Sequence, residues 1–183
     1  MLFRSNRLII LDRDGVINED LPGSIRSLTD WRPIRGSIEA IAILSRKGWR
    51  VCVATNQSGV GLGYLSSAEL ESIHLELLSM VDRAGGRIDT IAVCPHTPQD
   101  RCACRKPGVQ LLMQIEQQTG LTARGAPFVG DSIGDMQAAL RFGCLPVLVR
   151  TGNGKAIEAE ANAAGVKYVF DDLLSATDWL AKA

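Results

Sequence analysis

Ile9-Ile10-Leu11-Asp12-Arg13-Asp14-Gly15-Val16 is an apolar run that stops at two acids spaced i, i+2, with glycine immediately after. Continuous apolar runs of this kind mark strands buried on both faces of a parallel sheet. Ligands of such sheets bind just beyond the carboxyl ends of the strands. Residues i and i+2 of an extended segment point to the same side, so Asp12 and Asp14 are expected to face one pocket. Two neighbouring carboxylates repel unless a proton or cation stands between them. Mg²⁺ accepts one or two carboxylates while keeping room for phosphate and water. Taken alone, the stretch fits a strand ending in a polar turn equally well, since Asp and Gly are common turn residues.

On either side of this stretch, strands and helices alternate. Strands are expected over 7–12, 50–54, 88–93, 126–129, 145–149 and 166–170. Helices are expected over 36–47, 109–118, 132–142, 155–164 and 171–182. A longer helix starts at Ser66 or Ser67, where Glu69 would complete a capping box with Ser66, and ends at Gly85-Gly86. The alternation predicts an α/β fold with a mostly parallel sheet and helices on both faces, in one domain spanning 1–183.

Lys plus Arg and Asp plus Glu number 20 each. This zero net charge argues against a nucleic-acid partner and against an acidic disordered tail. No apolar run approaches the roughly 18 residues of a transmembrane helix, and Met1 to Arg7 does not read as a signal peptide. The expectation is a soluble, cytoplasmic protein with no membrane partner, and a monomer, since no association helix stands out.

Four strand ends carry polar residues: Asp12 and Asp14; Thr55-Asn56-Gln57-Ser58-Gly59; the loop with Arg105-Lys106-Pro107; and Gly130-Asp131-Ser132-Ile133-Gly134-Asp135. In a parallel sheet these ends share one edge and can converge on one crevice. Their types suit phosphoryl transfer. Asp12 is assigned as nucleophile and metal ligand. Asp14 is assigned as general acid/base, with its backbone carbonyl also near the metal. Thr55 would donate its hydroxyl to the phosphoryl group, with the backbone N–H groups of Asn56 and Gln57 alongside and Ser58 among the substrate-binding residues. Lys106 is the cationic clamp. Asp131 holds Mg²⁺, and Asp135 supports that site through water or hydrogen bonds. Singly, each residue also fits a turn, a helix cap or a solvated surface.

Of five cysteines, Cys52 and Cys144 read as small core residues. Cys94, His96, Cys102 and Cys104, in the pattern Cys-x-His-x5-Cys-x-Cys, supply three thiols and an imidazole. That is a sufficient tetrahedral set for structural Zn²⁺. The competing reading makes Cys94 a strand-end core residue and leaves Cys102 and Cys104 free. Pro95, Pro98, Gln99 and Asp100 offer little apolar burial, so a metal would order the loop and thereby position Arg105 and Lys106. His74, beside Ile73 and Leu75, reads as a helix-surface or half-buried histidine.

Asp12-x-Asp14-Gly15, Thr55 to Gly59, Lys106 and Gly130-Asp131-x-x-x-Asp135 resemble, in order, the motifs of the haloacid dehalogenase (HAD) superfamily of phosphatases. The resemblance runs from about residue 8 to 152. It implies a Rossmann-like, doubly wound core, Mg²⁺ and an aspartyl-phosphate intermediate. Asp12 to Asn18, the uninterrupted Thr55–Gly59 run and the Cys-x-His…Cys-x-Cys pattern resemble the histidinol-phosphate/heptose-bisphosphate group within it. That resemblance implies a zinc loop, a substrate-recognition role for Arg105, and contributions from the loop after Asn18, with Asp20 and Gly23 as candidates. It also implies removal of the 7-phosphate of D-glycero-D-manno-heptose 1,7-bisphosphate on the ADP-heptose route to lipopolysaccharide core, with histidinol phosphate as the alternative substrate. Where relatives often carry lysine after the fourth-motif aspartate, this chain has Ser132. About twenty residues separate the first motif from the 36–47 helix, and the second insertion point holds only the zinc loop, so the core is expected to be capless. A reading from another class is a phospho-accepting receiver module, which shares the acidic cluster, Thr and Lys. Asp14 two residues after Asp12, and the zinc loop, argue against it.

Overall fold

The computed structural model describes residues 7–20 and 25–182. Among them, six strands form one parallel sheet: β1 (Leu8–Leu11), β2 (Arg50–Asn56), β3 (Thr90–Cys94), β4 (Pro127–Gly130), β5 (Leu145–Val149) and β6 (Tyr168–Phe170). Their spatial order is β3-β2-β1-β4-β5-β6. The chain walks outward from β1 to β3 and then returns to place β4 on the other flank of β1. The direction of winding thus reverses between β1 and β4, where a crevice opens beyond the carboxyl ends.

The helices are α1 (Ser37–Arg46), α2 (Ser58–Gly61), α3 (Ser67–Arg83), α4 (Gln110–Thr119), α5 (Ile133–Phe142), α6 (Gly154–Ala163) and α7 (Leu173–Leu180). They cover both faces, and strand alternation decides which side chain meets which layer. Ile9, Leu11, Val51 and Val53 pack with Ile41 and Leu44 of α1, Ile73 and Leu77 of α3 and Leu173 of α7. Leu8, Ile10, Cys52 and Phe128 pack with Leu111 and Ile115 of α4 and Ala138 and Phe142 of α5. Met136 and Leu148 meet Ala161 beneath α6. All four residues of β1 are buried, which is why its sequence is continuously apolar.

The expected elements are present with small shifts at their ends. Ser66 caps α3, its hydroxyl accepting from Glu69 N at 3.1 Å while its own N–H reaches Glu69 Oε2 at 3.0 Å. β6 starts at Tyr168 because Val166 N bonds back to Ala161 O and closes α6. Two short elements were not expected from sequence: α2, and a 3₁₀ turn over Pro98–Asp100. Cys52 and Cys144 are buried between the sheet and α4–α5. No helix of the described residues is long and apolar enough to cross a membrane.

Candidate active site and metal centre

Past β1, Asp12 N still bonds Val129 O at 2.9 Å, which extends the sheet by one residue. The chain then turns tightly: Arg13 O accepts from Ile17 N at 2.8 Å and Asn18 N at 3.1 Å. Gly15 sits inside this turn at φ +77°, and a Cβ there would lie 2.1 Å from Asp131 Oδ2. A Cβ on Gly152, beyond β5, would lie 2.2 Å from the same oxygen. Both backbones therefore close on Asp131, and only glycine permits the approach.

A cavity of about 250 Å³ opens at this edge. Asp12, Asp14, Asp20, Asn56, Gln57, Ser58, Arg105, Lys106 and Asp131 all line it. Thr55 does not. It is fully buried behind Gln57, whose Nε2 donates to Thr55 Oγ1 at 2.8 Å. The Gln57 backbone N–H is also not open to a phosphoryl group, because it bonds Cys94 O at 2.7 Å where β2 and β3 end. Gly23 lies outside the described residues. Sequence reasoning missed Ile25 and Asn153 as lining residues. Asn153 sits beyond the end of β5, a fifth strand end on the same edge. It donates to Asp131 Oδ2 from its backbone N at 2.8 Å and to Asp20 Oδ2 from Nδ2 at 3.0 Å.

Lys106 is buried, and its ammonium bonds Asp12 Oδ1 at 2.8 Å, Asp135 Oδ1 at 2.6 Å and Ala54 O at 2.7 Å. Burial alone would lower its pKa, but the charges of Asp12 and Asp135 outweigh it and raise it. Asn56 fixes the Lys106 backbone through both amide atoms, accepting from Lys106 N at 3.0 Å and donating to Lys106 O at 3.2 Å. Asp135 acts by direct contact, the hydrogen-bonded alternative of the two expected from sequence. One of its oxygens pairs with Lys106, and the other accepts from the N–H and hydroxyl of Ser132 at the start of α5. Ser132 lines the cavity and caps that helix.

Asp14 is gripped from several sides. Arg13 Nη2 donates to Oδ1 at 2.9 Å and to Oδ2 at 3.1 Å, Asn18 Nδ2 to Oδ1 at 2.9 Å, and Gln57 Nε2 to Oδ2 at 2.6 Å. Burial pushes its pKa up, but the Arg13 charge and these hydrogen bonds prevail and hold it below the ordinary value.

Asp12, Asp131 and Asp135 bring carboxylate oxygens within 4.8 Å of one another. Burial, then repulsion from Asp135, raises Asp12 well above the carboxylate range despite Lys106. Burial pushes Asp131 up to about 7. Asp12 Oδ1 already accepts from Arg13 N and Lys106, while Oδ2 accepts nothing from the described residues. Desolvated, mutually repelling carboxylates with a free oxygen are a donor set that a divalent cation fits, since its charge offsets both penalties.

The Cys-rich loop also closes on itself. Cys94 Sγ lies 3.0 Å from Cys104 Sγ and 3.6 Å from Cys102 Sγ, and Cys102 Sγ lies 3.4 Å from Cys104 Sγ. His96 Nδ1 joins them, 3.1 Å from Cys104 Sγ and 3.6 Å from Cys94 Sγ. A tetrahedron of zinc–sulfur bonds of about 2.3 Å has edges of about 3.8 Å, so the four groups fit zinc with a slight expansion. All the cysteines are free thiols. Burial raises Cys94 to about 12, whereas Cys102, through hydrogen bonds led by that from Arg105 N, is drawn down to about 7 against its own desolvation. Arg105 leaves this cluster to reach the cavity, its Nη1 held by His96 O at 3.3 Å.

A HAD-hydrolase-like family profile matches residues 103–176. A D-glycero-β-D-manno-heptose-1,7-bisphosphate 7-phosphatase of Pseudomonas aeruginosa is 50% identical over 169 residues, 92% of this chain and 94% of the relative. The enzyme of the same name from Bordetella bronchiseptica is 41% identical over 174 residues, 95% of this chain and 97% of the relative. A crystal structure of D,D-heptose 1,7-bisphosphate phosphatase from B. bronchiseptica, complexed with magnesium and phosphate, superposes with a TM-score of 0.91 at 41% identity. That match covers 96% of this chain and 98% of the other.

Proposed function

Because the chain belongs to the heptose-bisphosphate phosphatase family of HAD-like hydrolases, it is a phosphatase, and we propose that it removes the 7-phosphate of D-glycero-D-manno-heptose 1,7-bisphosphate. The observation that carries this reading is one cavity lined by Asp12, Asp14, Lys106 and Asp131, with Arg105 at its wall, in a chain with relatives of that activity over nearly its full length. The relatives' names specify the β anomer, which we take as the preferred substrate. The reaction serves the ADP-heptose route in the cytoplasm, and the enzyme works as a monomer.

In this reading, an Asp12 oxygen attacks the phosphorus of the 7-phosphate. The bond from phosphorus to the sugar oxygen breaks, and Asp14 gives its proton to that oxygen. Water then attacks the aspartyl-phosphate and passes its proton to Asp14. The phosphorus–Asp12 bond breaks, inorganic phosphate leaves, and both side chains return to their starting forms. Asp14 is held below the ordinary pKa before substrate arrives; the incoming dianionic phosphoryl group raises its proton affinity, and Asp14 draws from solvent the proton it then gives to the sugar oxygen. Lys106 aims Asp12 and offsets charge on the phosphoryl oxygens. Thr55 acts through Gln57 or after Gln57 moves, since the two are hydrogen-bonded. Asp12, Asp131 and the Asp14 carbonyl would hold Mg²⁺, which when bound supplies positive charge to the transferring group. Arg105 pairs with the substrate's second anionic group, and Asp20 borders the sugar. Zn²⁺ on Cys94, His96, Cys102 and Cys104 stays structural, because four protein ligands leave no open position.

A phosphate-release screen tests this. The β anomer of the heptose 1,7-bisphosphate should give the highest kcat/KM, ahead of the α anomer, fructose 1,6-bisphosphate and histidinol phosphate, with one phosphate released per sugar. Histidinol phosphate as best substrate would assign the enzyme to the alternative reaction. Stoichiometric labelling without turnover would mark a receiver.

A further inference from the structure

Asp12 and Asp14 face the cavity, so the residue between them faces the protein. It is an arginine, and it is 0% exposed. A buried guanidinium needs an acceptor for each of its donors. Nε and Nη2 reach Asp14, and Nη2 also reaches Gln57 Oε1 at 3.0 Å. Nη1 reaches His74 Nε2 at 3.1 Å. His74 comes from the middle of α3.

Arginine only donates, so His74 Nε2 must be the acceptor, and the imidazole is neutral with its hydrogen on Nδ1. Burial, then the Arg13 charge, pushes His74 down to about 4 against a weaker pull from Asp14, consistent with that tautomer. On its far side His74 borders an apolar groove of about 540 Å³ walled by Leu70, Leu78, Ile91 and Val93. The ring therefore both accepts from Nη1 and separates Arg13 from that groove.

We propose that His74 is a positioning residue for the phosphatase reaction: by accepting from Arg13 Nη1 it aims the guanidinium onto Asp14 and Gln57. Arg13 sets the plane of the Asp14 carboxylate through two bonds from Nη2. It also fixes the Gln57 amide, because Gln57 Oε1 accepts from Arg13 while Gln57 Nε2 donates to Asp14 and Thr55. One imidazole on a remote helix thus orients, through Arg13, two side chains of the cavity, Asp14 and Gln57. Without it, Nη1 is left buried with no acceptor, and the guanidinium turns toward water.

The proposal rests on Asp14 being the acid of the first step, and the test separates the two ideas. The full chain, loaded with Mg²⁺ and Zn²⁺, is mixed rapidly with either the heptose bisphosphate or p-nitrophenyl phosphate, and the first turnover is followed. A sugar alkoxide needs a proton as it leaves and a nitrophenolate does not, so loss of the acid slows only the first substrate. His74→Leu should slow sugar cleavage ~10-fold and the nitrophenyl burst less than ~2-fold, in the range expected for a misaimed catalytic group. His74→Gln, whose amide oxygen can accept from Nη1, should recover to within ~3-fold of the parent. Equal slowing of both substrates by His74→Leu, or no slowing of either, overturns the proposal. Asp14→Asn is the reference. If it shows the leaving-group bias and His74→Leu does not, Asp14 stands and His74 falls. If Asp14→Asn shows no bias, the acid assignment falls, and the His74 role with it.

Discussion

The phosphoryl cavity and the Cys-rich loop meet at consecutive residues, Arg105 and Lys106, yet they are built in opposite ways. The cavity is held by backbone. Parallel strands fix where Asp12, Asn56 and Asp131 leave the sheet, and two glycines let the neighbouring turns close on Asp131. The loop from Cys94 to Cys104 has no strand pairing past Cys94 and is gathered by three sulfurs and an imidazole. The first region should keep its shape when a catalytic atom is changed. The second should lose its shape when a ligand is changed.

The largest effect expected is in the cavity. Asp12→Asn should lower kcat roughly 10⁴-fold or more, as removal of a nucleophile does. The circular dichroism and Tm should barely move, because an amide oxygen can still accept from Arg13 N and Lys106. Substantial retained phosphate release would remove Asp12 from the nucleophile's place, and an unfolded variant would show that the cavity does not stand on backbone alone.

Lys106→Met probes the junction. It strips the only ammonium bonded to Asp12 and Asp135 among the described residues and leaves both carboxylates buried. Breaking a buried pair in this way costs ~3–5 kcal/mol, readable as a lower denaturant midpoint. Loss of the phosphoryl clamp should lower kcat ~10²–10³-fold. Mg²⁺ should restore part of the stability and little of the activity. Stability equal to the parent's would mean the ion pairs offset nothing.

For the loop, Cys102→Ser should abolish stoichiometric zinc by elemental analysis and lower kcat/KM for the heptose bisphosphate ~10–100-fold, the usual range for groups that orient a site from behind. The loss should fall mainly in KM, because Arg105 loses its support while Asp12 and Asp131 stay on their strands. A fall confined to kcat would place the loop in the chemistry, and parent protein without zinc after chelator-free purification would end the structural-zinc reading.

The same contrast explains what the sequence disclosed. Strand ends were legible because an apolar run that stops at Asp, Thr-Asn or Gly-Asp announces both a buried strand and its exit. The same rule reaches Asn153, beyond the fifth strand. The zinc ligands were legible by atom type and spacing, with no help from periodicity. Four-residue α2 was not legible, since Ser58-Gly59-Val60-Gly61 has too little length for a helical stripe and two glycines that disfavour one. Thr55 was expected to touch the phosphoryl group, but a strand pattern cannot say which side chain will lie across another. Gln57 lies across it. Arg13 is the opposite case. Alternation turns it inward, and a charge turned inward is itself a signal that a partner must come from elsewhere in the fold, here His74.

Acid distinguishes the two regions most finely. His74 titrates near 4 in the folded chain, against about 6.5 when unfolded. Between those values the unfolded chain binds a proton that the folded chain does not. Stability from His74 is therefore whole above about pH 6.5 and is lost as pH falls toward 4, by at most ~1.4 kcal/mol per pH unit. Zinc adds its own loss in acid, because protons compete for the thiolates, so the measurement belongs in the Cys102→Ser background. There His74→Leu should flatten the dependence of the unfolding free energy on pH between 4 and 6.5. An unchanged slope would mean that His74 charges freely in the folded chain, which a ring accepting from a buried guanidinium cannot do. It would also mean that the cavity's rear wall is less rigid than its strand-built front.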